Sequence, residues 1–331
     1  MTMLPLPRVV LLGTGGTIAA TAGSATTLND YTVTQSIDTL LTAIPELNAV
    51  ARLRCSQVFN VESHAITNKM LLKLAGRINK ELSDPVVDGV VITHGTDTLE
   101  ETAYFLNLTI KSHKPVVMVG AMRPSSALSA DGPLNLFNAV LLAASKKAHG
   151  HGVLVLMNDQ ISAARYTSKT HSTQPDSFRS HDQGYLGQIH NGKIHIFQTP
   201  TTRHTTQSEF DVTGVKSLPS VDIIYDHQNA GLHLYEASIK AGVQGIVIAA
   251  TGNGSISTSV KKGAHLALKG NVVCVRSTRV GSGVVSESKT DNKLRLVSGN
   301  SLNPQKARIL LMLALHNTRD PQSIQSYFDR Y

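Results

Sequence analysis

The sequence predicts an α/β protein of two domains, each built on a parallel sheet. Three observations lead there. Short β-branched runs alternate with stretches whose apolar residues recur at helical spacing. Loops rich in glycine, threonine and aspartate follow the carboxyl ends of those runs, where open parallel sheets gather their chemistry. The chain has 331 residues, more than one small domain needs, and the stretch from about Phe197 to Pro219 loses the alternation and turns to Thr, Ser and Pro. The expected organisation is a larger domain over residues 1–197, a linker over 198–218 and a smaller α/β domain over 219–331.

Val9–Leu12 is the first strand and stops at Gly13. Leu71, Leu74, Ala75, Ile78 and Leu82 share one helical face, with Thr67-Asn68 as the N-cap. Val86–Thr93 is the next strand, and Thr98-x-x-Glu101 reads as a capping box for a helix through Leu108. Pro115–Gly120 and Val153–Met157 are further strands, with a helix opened between them by Asp131-Gly132-Pro133. In the second domain the strands are Val221–Tyr225, Gly245–Ala250 and Asn271–Arg276, and two helices open at Asn303-Pro304 and Asp320-Pro321.

Composition narrows the function classes. Apolar residues make up 41% and charged residues 16%, as in ordinary globular proteins. No stretch approaches the ~18 apolar residues of a membrane helix, so no membrane partner is expected. The net charge of +8 is spread without an aromatic-interleaved basic motif, so no nucleic-acid partner is expected either. The charge reads as a solvated surface that favours anionic solutes. Cys55 and Cys274 have neither metal nor redox spacing and read as buried thiols. The 14 histidines form no metal motif, and His149 and His151 read as part of a solvated turn. The run Val9–Leu12 is too short for a signal peptide, so the chain as written reads as cytoplasmic. A mature chain trimmed of its signal would look the same, which makes the periplasm the alternative.

The loops carry the chemistry. Gly13-Thr14-Gly15-Gly16-Thr17 lets backbone approach a ligand and presents Thr17 at its end. Alone it reads as a tight turn with a capping threonine. It is neither a dinucleotide fingerprint, because Ile18 stands where a third glycine is required, nor a phosphate-binding loop, because Gly-Lys-Ser/Thr is absent. Thr93-His94-Gly95-Thr96-Asp97-Thr98 puts hydroxyls and a carboxylate at a strand end beside a helix N-terminus, where Asp97 is expected to be ionised and to hold a ligand ammonium. Gly120-Ala121-Met122-Arg123-Pro124 ends the next strand, and Met157-Asn158-Asp159 leads to Tyr166-Thr167-Ser168-Lys169-Thr170. A lysine beside a hydroxyl nucleophile can act as a proton acceptor once it has lost its charge. Together these groups suit amide hydrolysis: Thr17 as nucleophile, Thr96 and Lys169 as proton route, and the Gly-rich and Gly120-Ala121 turns as oxyanion donors. No metal or organic cofactor is required.

At these motifs the sequence resembles the bacterial L-asparaginases of the periplasmic, high-affinity type, including the asparaginase–glutaminases. The resemblance runs from Gly13-Thr14-Gly15-Gly16-Thr17-Ile18-Ala19 through Thr93–Tyr104, Gly120–Pro124 and Ser129–Pro133 to Leu302–Arg308. It implies a flavodoxin-like larger domain and hydrolysis of L-asparagine to L-aspartate and ammonia, with secondary conversion of L-glutamine to L-glutamate or, as the alternative, comparable activity on both amides. It implies Thr17 as nucleophile, Tyr31 on a lid that closes over it, and Thr96, Asp97 and Lys169 as a second catalytic cluster. Ser63 and Asp97 would hold the α-carboxylate and α-amino groups, with Glu62 and His64 beside them, and Ala121 would face the amide. Asn253 would come from a neighbouring subunit of a homotetramer made of two dimers. Three departures stand out. His64 replaces an amide or carboxylate: a neutral imidazole there accepts a hydrogen bond, whereas an imidazolium would repel the ammonium. The partner-subunit carboxylate of many members falls near Thr290, with Glu287 or Asp291 as candidate replacements. The disulfide of some members is absent. Residues Ile18 to Tyr31 are expected to be a mobile lid with little to bury and a hinge at Gly23. Two other readings fit less well: a nucleotide-binding oxidoreductase lacks its third glycine, and a non-catalytic amino-acid binder has no need of Thr17, Tyr31 and Lys169 together.

Overall fold

The computed structural model describes residues 5–28 and 32–331, in two compact units, Met1–Gly214 and Val215–Tyr331. The first unit is built on an eight-stranded sheet: β1 (Arg8–Gly13), β2 (Arg52–Gln57), β3 (Gly89–Thr93), β4 (Val116–Val119), β5 (Val153–Met157), β6 (Gln160–Ala163), β7 (Gly187–His190) and β8 (Lys193–Ile196). Its parallel part has the order β2-β1-β3-β4-β5. This is the flavodoxin-like order, whose crevice opens where the connections reverse, between β1 and β3. β3, β4 and β5 are buried along their whole length, which is why they read as unbroken apolar runs.

The sheet is not parallel throughout. β6, β7 and β8 add on antiparallel. Asn158 and Asp159 both take positive φ, 50° and 62°, and turn β5 straight back into β6. Short polar side chains tolerate that conformation, and two such residues make the tight hairpin turn. The Asn158-Asp159 pair expected to lead a functional loop is therefore first a chain reversal. The strand expected from Val86 begins at Gly89, because Asp84 accepts from Val86 N at 3.0 Å and holds a turn there.

Among the helices, α1 (Ile37–Thr42) is short and lies in a stretch where no helix was expected. α2 (Asn68–Ser83) has Thr67 as N-cap and buries Leu71, Leu74, Ala75, Ile78 and Leu82, the face its spacing predicts. α3 (Leu99–Thr109) is capped otherwise than expected: Thr98 makes no side-chain cap, so the capping box does not form. α4 (Gly132–Ala143) starts at Asp131-Gly132-Pro133 as expected. Ile18, Ala19 and Ala20 are buried in the core, so the first part of the expected lid has apolar surface to bury after all. Its backbone is tied down further on, with Ser125 N donating to Ala20 O at 2.9 Å and Leu128 N to Ala25 O at 3.0 Å. Tyr31 lies outside the described residues.

The second unit carries a four-stranded parallel sheet, β9 (Val221–Tyr225), β10 (Gly245–Ala250), β11 (Val273–Thr278) and β12 (Val297–Ser298). Helices α5 (His233–Lys240), α6 (Thr258–Lys269), α7 (Lys289–Leu294), α8 (Pro304–Asn317) and α9 (Pro321–Arg330) accompany it. Asn303 and Asp320 cap α8 and α9, accepting from Lys306 N and Ser323 N, as their Asn-Pro and Asp-Pro starts predict. Both cysteines are free thiols, Cys274 buried and Cys55 half-buried, and burial pushes them up to about 12 and about 11, away from reactivity. Among the described residues no helix is long and apolar enough to cross a membrane.

Candidate active site

β1 lies between β2 and β3, so the loops that follow these three strands meet at one end of the sheet. The loop after β1 is stitched to both neighbours. Thr14 donates through N and Oγ1 to Thr93 O, at 3.1 and 2.7 Å, and Val61 N donates to Thr14 O at 3.2 Å. Gly16 has φ of 87° and precedes a single 3-10 turn, Thr17–Ala19. A Cβ at Gly16 would lie 2.2 Å from Gly95 N, so only glycine lets this loop reach the loop after β3. That contact brings Thr17, 6% exposed, next to the Gly95-Thr96-Asp97 segment.

His94 anchors that segment from below. It is fully buried, with Nδ1 2.7 Å from Gly95 O and Nε2 2.9 Å from Thr102 Oγ1. The carbonyl can only accept, so Nδ1 carries the proton and Nε2 accepts from the threonine hydroxyl. Burial drives the imidazole down from 6.5 to about 4, and the Gly95 carbonyl opposes that only in part.

Thr98 works in place of a cap. Its Oγ1 donates to Ser63 O at 2.8 Å and its N donates to Ser63 Oγ at 3.3 Å. Ser63 is 4% exposed and is fixed by residues from the adjacent loop. Glu62 and His64 flank it at the surface, with His64 Nε2 3.2 Å from Glu62 Oε2. The imidazole thus has a carboxylate partner of its own, and both side chains remain more than half exposed.

Lys169 comes from the segment after β6, in a two-residue ladder that pairs Ser168-Lys169 with Phe178-Arg179. Its Nζ donates to Thr96 Oγ1 at 3.0 Å and to Asp97 Oδ1 at 2.6 Å. The lysine side chain is largely buried while Asp97 is 63% exposed, so the carboxylate offers its outer face to a ligand.

The turn after β4 is held by Asp131. Its carboxylate accepts from Met122 N and Arg123 N, each at 3.0 Å, and Asn135 Nδ2 donates to both Asp131 Oδ2 and Gly120 O. Ala121, fully buried between these bonds, has its flanking peptide planes fixed. Gly120 N–H is directed at Met157 Sδ, 3.3 Å away, and is not the free donor that the sequence suggested.

The site residues expected in the second unit are Asn253 and Glu287. Both are exposed, and Asn253 bonds Ser286, next in the chain to Glu287, through both ends of its amide: Ser286 N donates to Oδ1 at 2.9 Å and Nδ2 donates to Ser286 Oγ at 3.3 Å. Asp291 is a correction. It is 6% exposed, pairs through both oxygens with Arg276 and accepts from Ser288 N at 2.7 Å. Its carboxylate is spent inside the unit and offers nothing to a ligand. Sequence reasoning missed Thr98 as a positioner, His94, the Asp131–Asn135 clasp and Arg276. The one available signal was an arginine set in the apolar strand Val273–Thr278, since a charge there demands a buried partner.

Comparison with known proteins bears on these arrangements. Residues 8–202 match the family description "Asparaginase, N-terminal", and residues 220–328 match "Glutaminase/Asparaginase C-terminal domain". The chain is 51% identical over 327 residues to L-asparaginase 2 of Bacillus subtilis (strain 168), covering 98% of this chain and 87% of that one. It is 44% identical to the glutaminase-asparaginase of Pseudomonas fluorescens biotype A, covering 100% and 92%. The crystal structure of a probable cytoplasmic L-asparaginase from Campylobacter jejuni superposes with a TM-score of 0.96 at 48% identity, covering 98% of this chain and 100% of that one.

Proposed function

The chain belongs to the asparaginase family, and we propose that it hydrolyses L-asparagine through attack by the Thr17 hydroxyl on the side-chain amide. The protein is an amidohydrolase that yields L-aspartate and ammonia. One observation supports the residue assignment: the Gly16 and Gly95 backbones approach, so the loop that carries Thr17 meets the loop that carries Thr96 and Asp97, both bonded to Lys169. Attack of Thr17 Oγ on the amide carbon forms a C–O bond as the carbonyl π bond opens, and the hydroxyl proton passes to Thr96, whose own hydroxyl proton moves on to the amide nitrogen. Lys169 Nζ, donating to Thr96 Oγ1, orients that hydroxyl for the relay and stabilises the partial negative charge on its oxygen as it gives up its own proton. The tetrahedral intermediate collapses with loss of the amide nitrogen, which leaves as ammonia after taking a proton. Water then cleaves the acyl-threonine and releases aspartate.

Asp97 holds the α-ammonium at its exposed face, and Ser63, braced by Thr98, holds the α-carboxylate. Glutamine is one methylene longer, a difference typically worth only ~1–3 kcal/mol, so L-glutamine is a secondary substrate. The relative from Pseudomonas fluorescens, named for both activities, supports this. The active species is a homotetramer of two dimers, with Asn253 and Glu287 contributed to the site by a neighbouring subunit. Ammonia release from asparagine and from glutamine, by the wild type and Thr17→Val, is the test. Thr17→Val should keep its circular dichroism spectrum and lose nearly all turnover. Wild-type turnover by the folded variant would remove Thr17 from the mechanism.

A further inference from the structure

An exposed asparagine normally samples several rotamers, and Asn253 does not have that freedom. It sits at the tip of a tight loop closed by Thr251 and Ser255, which bond reciprocally at 3.0 and 2.7 Å. Behind the tip lies the Arg276 guanidinium, 3% exposed. Arg276 Nη1 donates to Gly254 O at 3.0 Å and to Asn253 O at 3.4 Å, and Nη2 donates to Ser286 O at 2.6 Å. Nε and Nη2 also bind the two oxygens of Asp291, at 2.8 and 2.5 Å. Gly254 has φ of 74°, and a Cβ there would fall 2.1 Å from Arg276 Nη1, so the guanidinium fills the space a side chain would take. One buried cation thus joins the loop at 253–254, the segment at 286 and the first turn of α7.

A buried ion pair is weak evidence of stabilisation, because desolvation offsets its attraction. What this one provides is position. Ser286, held by Arg276, in turn fixes the Asn253 amide at both ends, and Glu287 follows on the same segment. A polar group held in one orientation before binding loses less entropy on contact.

We propose that Arg276, locked by Asp291, is a positioning residue for catalysis: it presents the Asn253 amide and Glu287 to the substrate bound by the neighbouring subunit. The proposal rests on the shared-site reading above. It makes Arg276 act through two loops of its own unit and across a subunit boundary, touching no substrate itself. Arg276→Lys keeps the charge but cannot reach all of these acceptors at once. Asp291→Asn keeps the size and releases the guanidinium from its anchor.

The test measures asparagine kinetics for Arg276→Lys, Asp291→Asn and Asn253→Ala, each checked for assembly by sedimentation. KM should rise on the order of tenfold in all three, with a smaller change in kcat. Each positioning variant is then co-expressed with Thr17→Val under separate tags, and doubly tagged oligomers are isolated. In a mixed dimer one site joins the intact Thr17 of the first chain to the intact Asn253 loop of the second. Activity with wild-type KM should return there. Wild-type KM in assembled Arg276→Lys and Asp291→Asn, or a defect that mixing does not repair, overturns the proposal. If Arg276→Lys fails to assemble, Asp291→Asn decides by the same criteria. If Asn253→Ala alone is indistinguishable from wild type, it is the shared-site reading that falls.

Discussion

Thr98→Val is the most informative single change in the first unit, because it removes one hydroxyl and almost no volume. The wild-type hydroxyl donates to Ser63 O at 2.8 Å, and Ser63 is 4% exposed, so water does not readily replace it. Ile66 N also donates to Ser63 O, at 3.2 Å, so the oxygen keeps one partner and the loss sits at the lower end of the roughly 1–3 kcal/mol that an unpaired buried acceptor costs, about 1 kcal/mol. The protein can take that loss in two ways. The segment can stay in place, and stability then falls by that amount. Or the single turn Ser63–Ala65 can shift outward to reach water, carrying Ser63 Oγ away from the substrate carboxylate. The bond from Thr98 N to Ser63 Oγ, at 3.3 Å, is too long to resist alone. If most of the loss, about 1 kcal/mol, appears in binding, KM rises about fivefold. Turnover should change little, since neither Thr17 nor Lys169 is disturbed. Thr98→Ser restores the donor and should restore KM. Steady-state kinetics with thermal denaturation of all three proteins is the assay. Unchanged KM and stability in Thr98→Val, or a loss confined to kcat, would refute the reasoning.

Other expectations follow from the same contacts. His94 is held neutral with its pKa at about 4 against an ordinary 6.5, so the unfolded chain takes up the proton first on acidification. Its contribution is complete above about pH 6.5 and is lost as pH falls towards 4, by roughly 2 kcal/mol at pH 5; urea unfolding at pH 7 and 5 should show a smaller loss in His94→Gln, and equal losses would count against it. Gly16→Ala must push the Gly95 backbone aside and hold alanine at positive φ, at a cost of roughly 1–3 kcal/mol or more; it should lower the melting temperature and abolish ammonia release, and normal activity would mean that the two loops need not touch. Full specific activity in a sedimenting monomer would rule out the shared site.

What could be read from the sequence and what could not divides along a physical line. Local rules worked where the partner is local. The apolar runs became buried strands, and Asn303 and Asp320 capped their own helices through bonds three residues away. Thr98 shows the failure. Thr-x-x-Glu satisfies the local rule for a capping box, yet the hydroxyl serves Ser63, 35 residues earlier in the chain, because the fold lays that loop alongside. Asp291 shows the converse. Its spacing from the expected acidic position made it a candidate ligand, whereas Arg276, 15 residues away in the chain, claims both oxygens. The hairpin at Asn158-Asp159 was legible in principle, since two residues that tolerate positive φ between apolar runs signal a reversal. It was hidden because β5, already buried as the edge of the parallel set, carries no alternation to mark an antiparallel neighbour. The catalytic loops were legible for the opposite reason. A Cβ at Gly16 would strike the Gly95 backbone and one at Gly95 would strike the Ser63 side chain, so the meeting of three distant loops is written into two of them as a glycine beside a threonine. A polar side chain can find its partner anywhere in the fold, but the space that a missing Cβ leaves is fixed to one place.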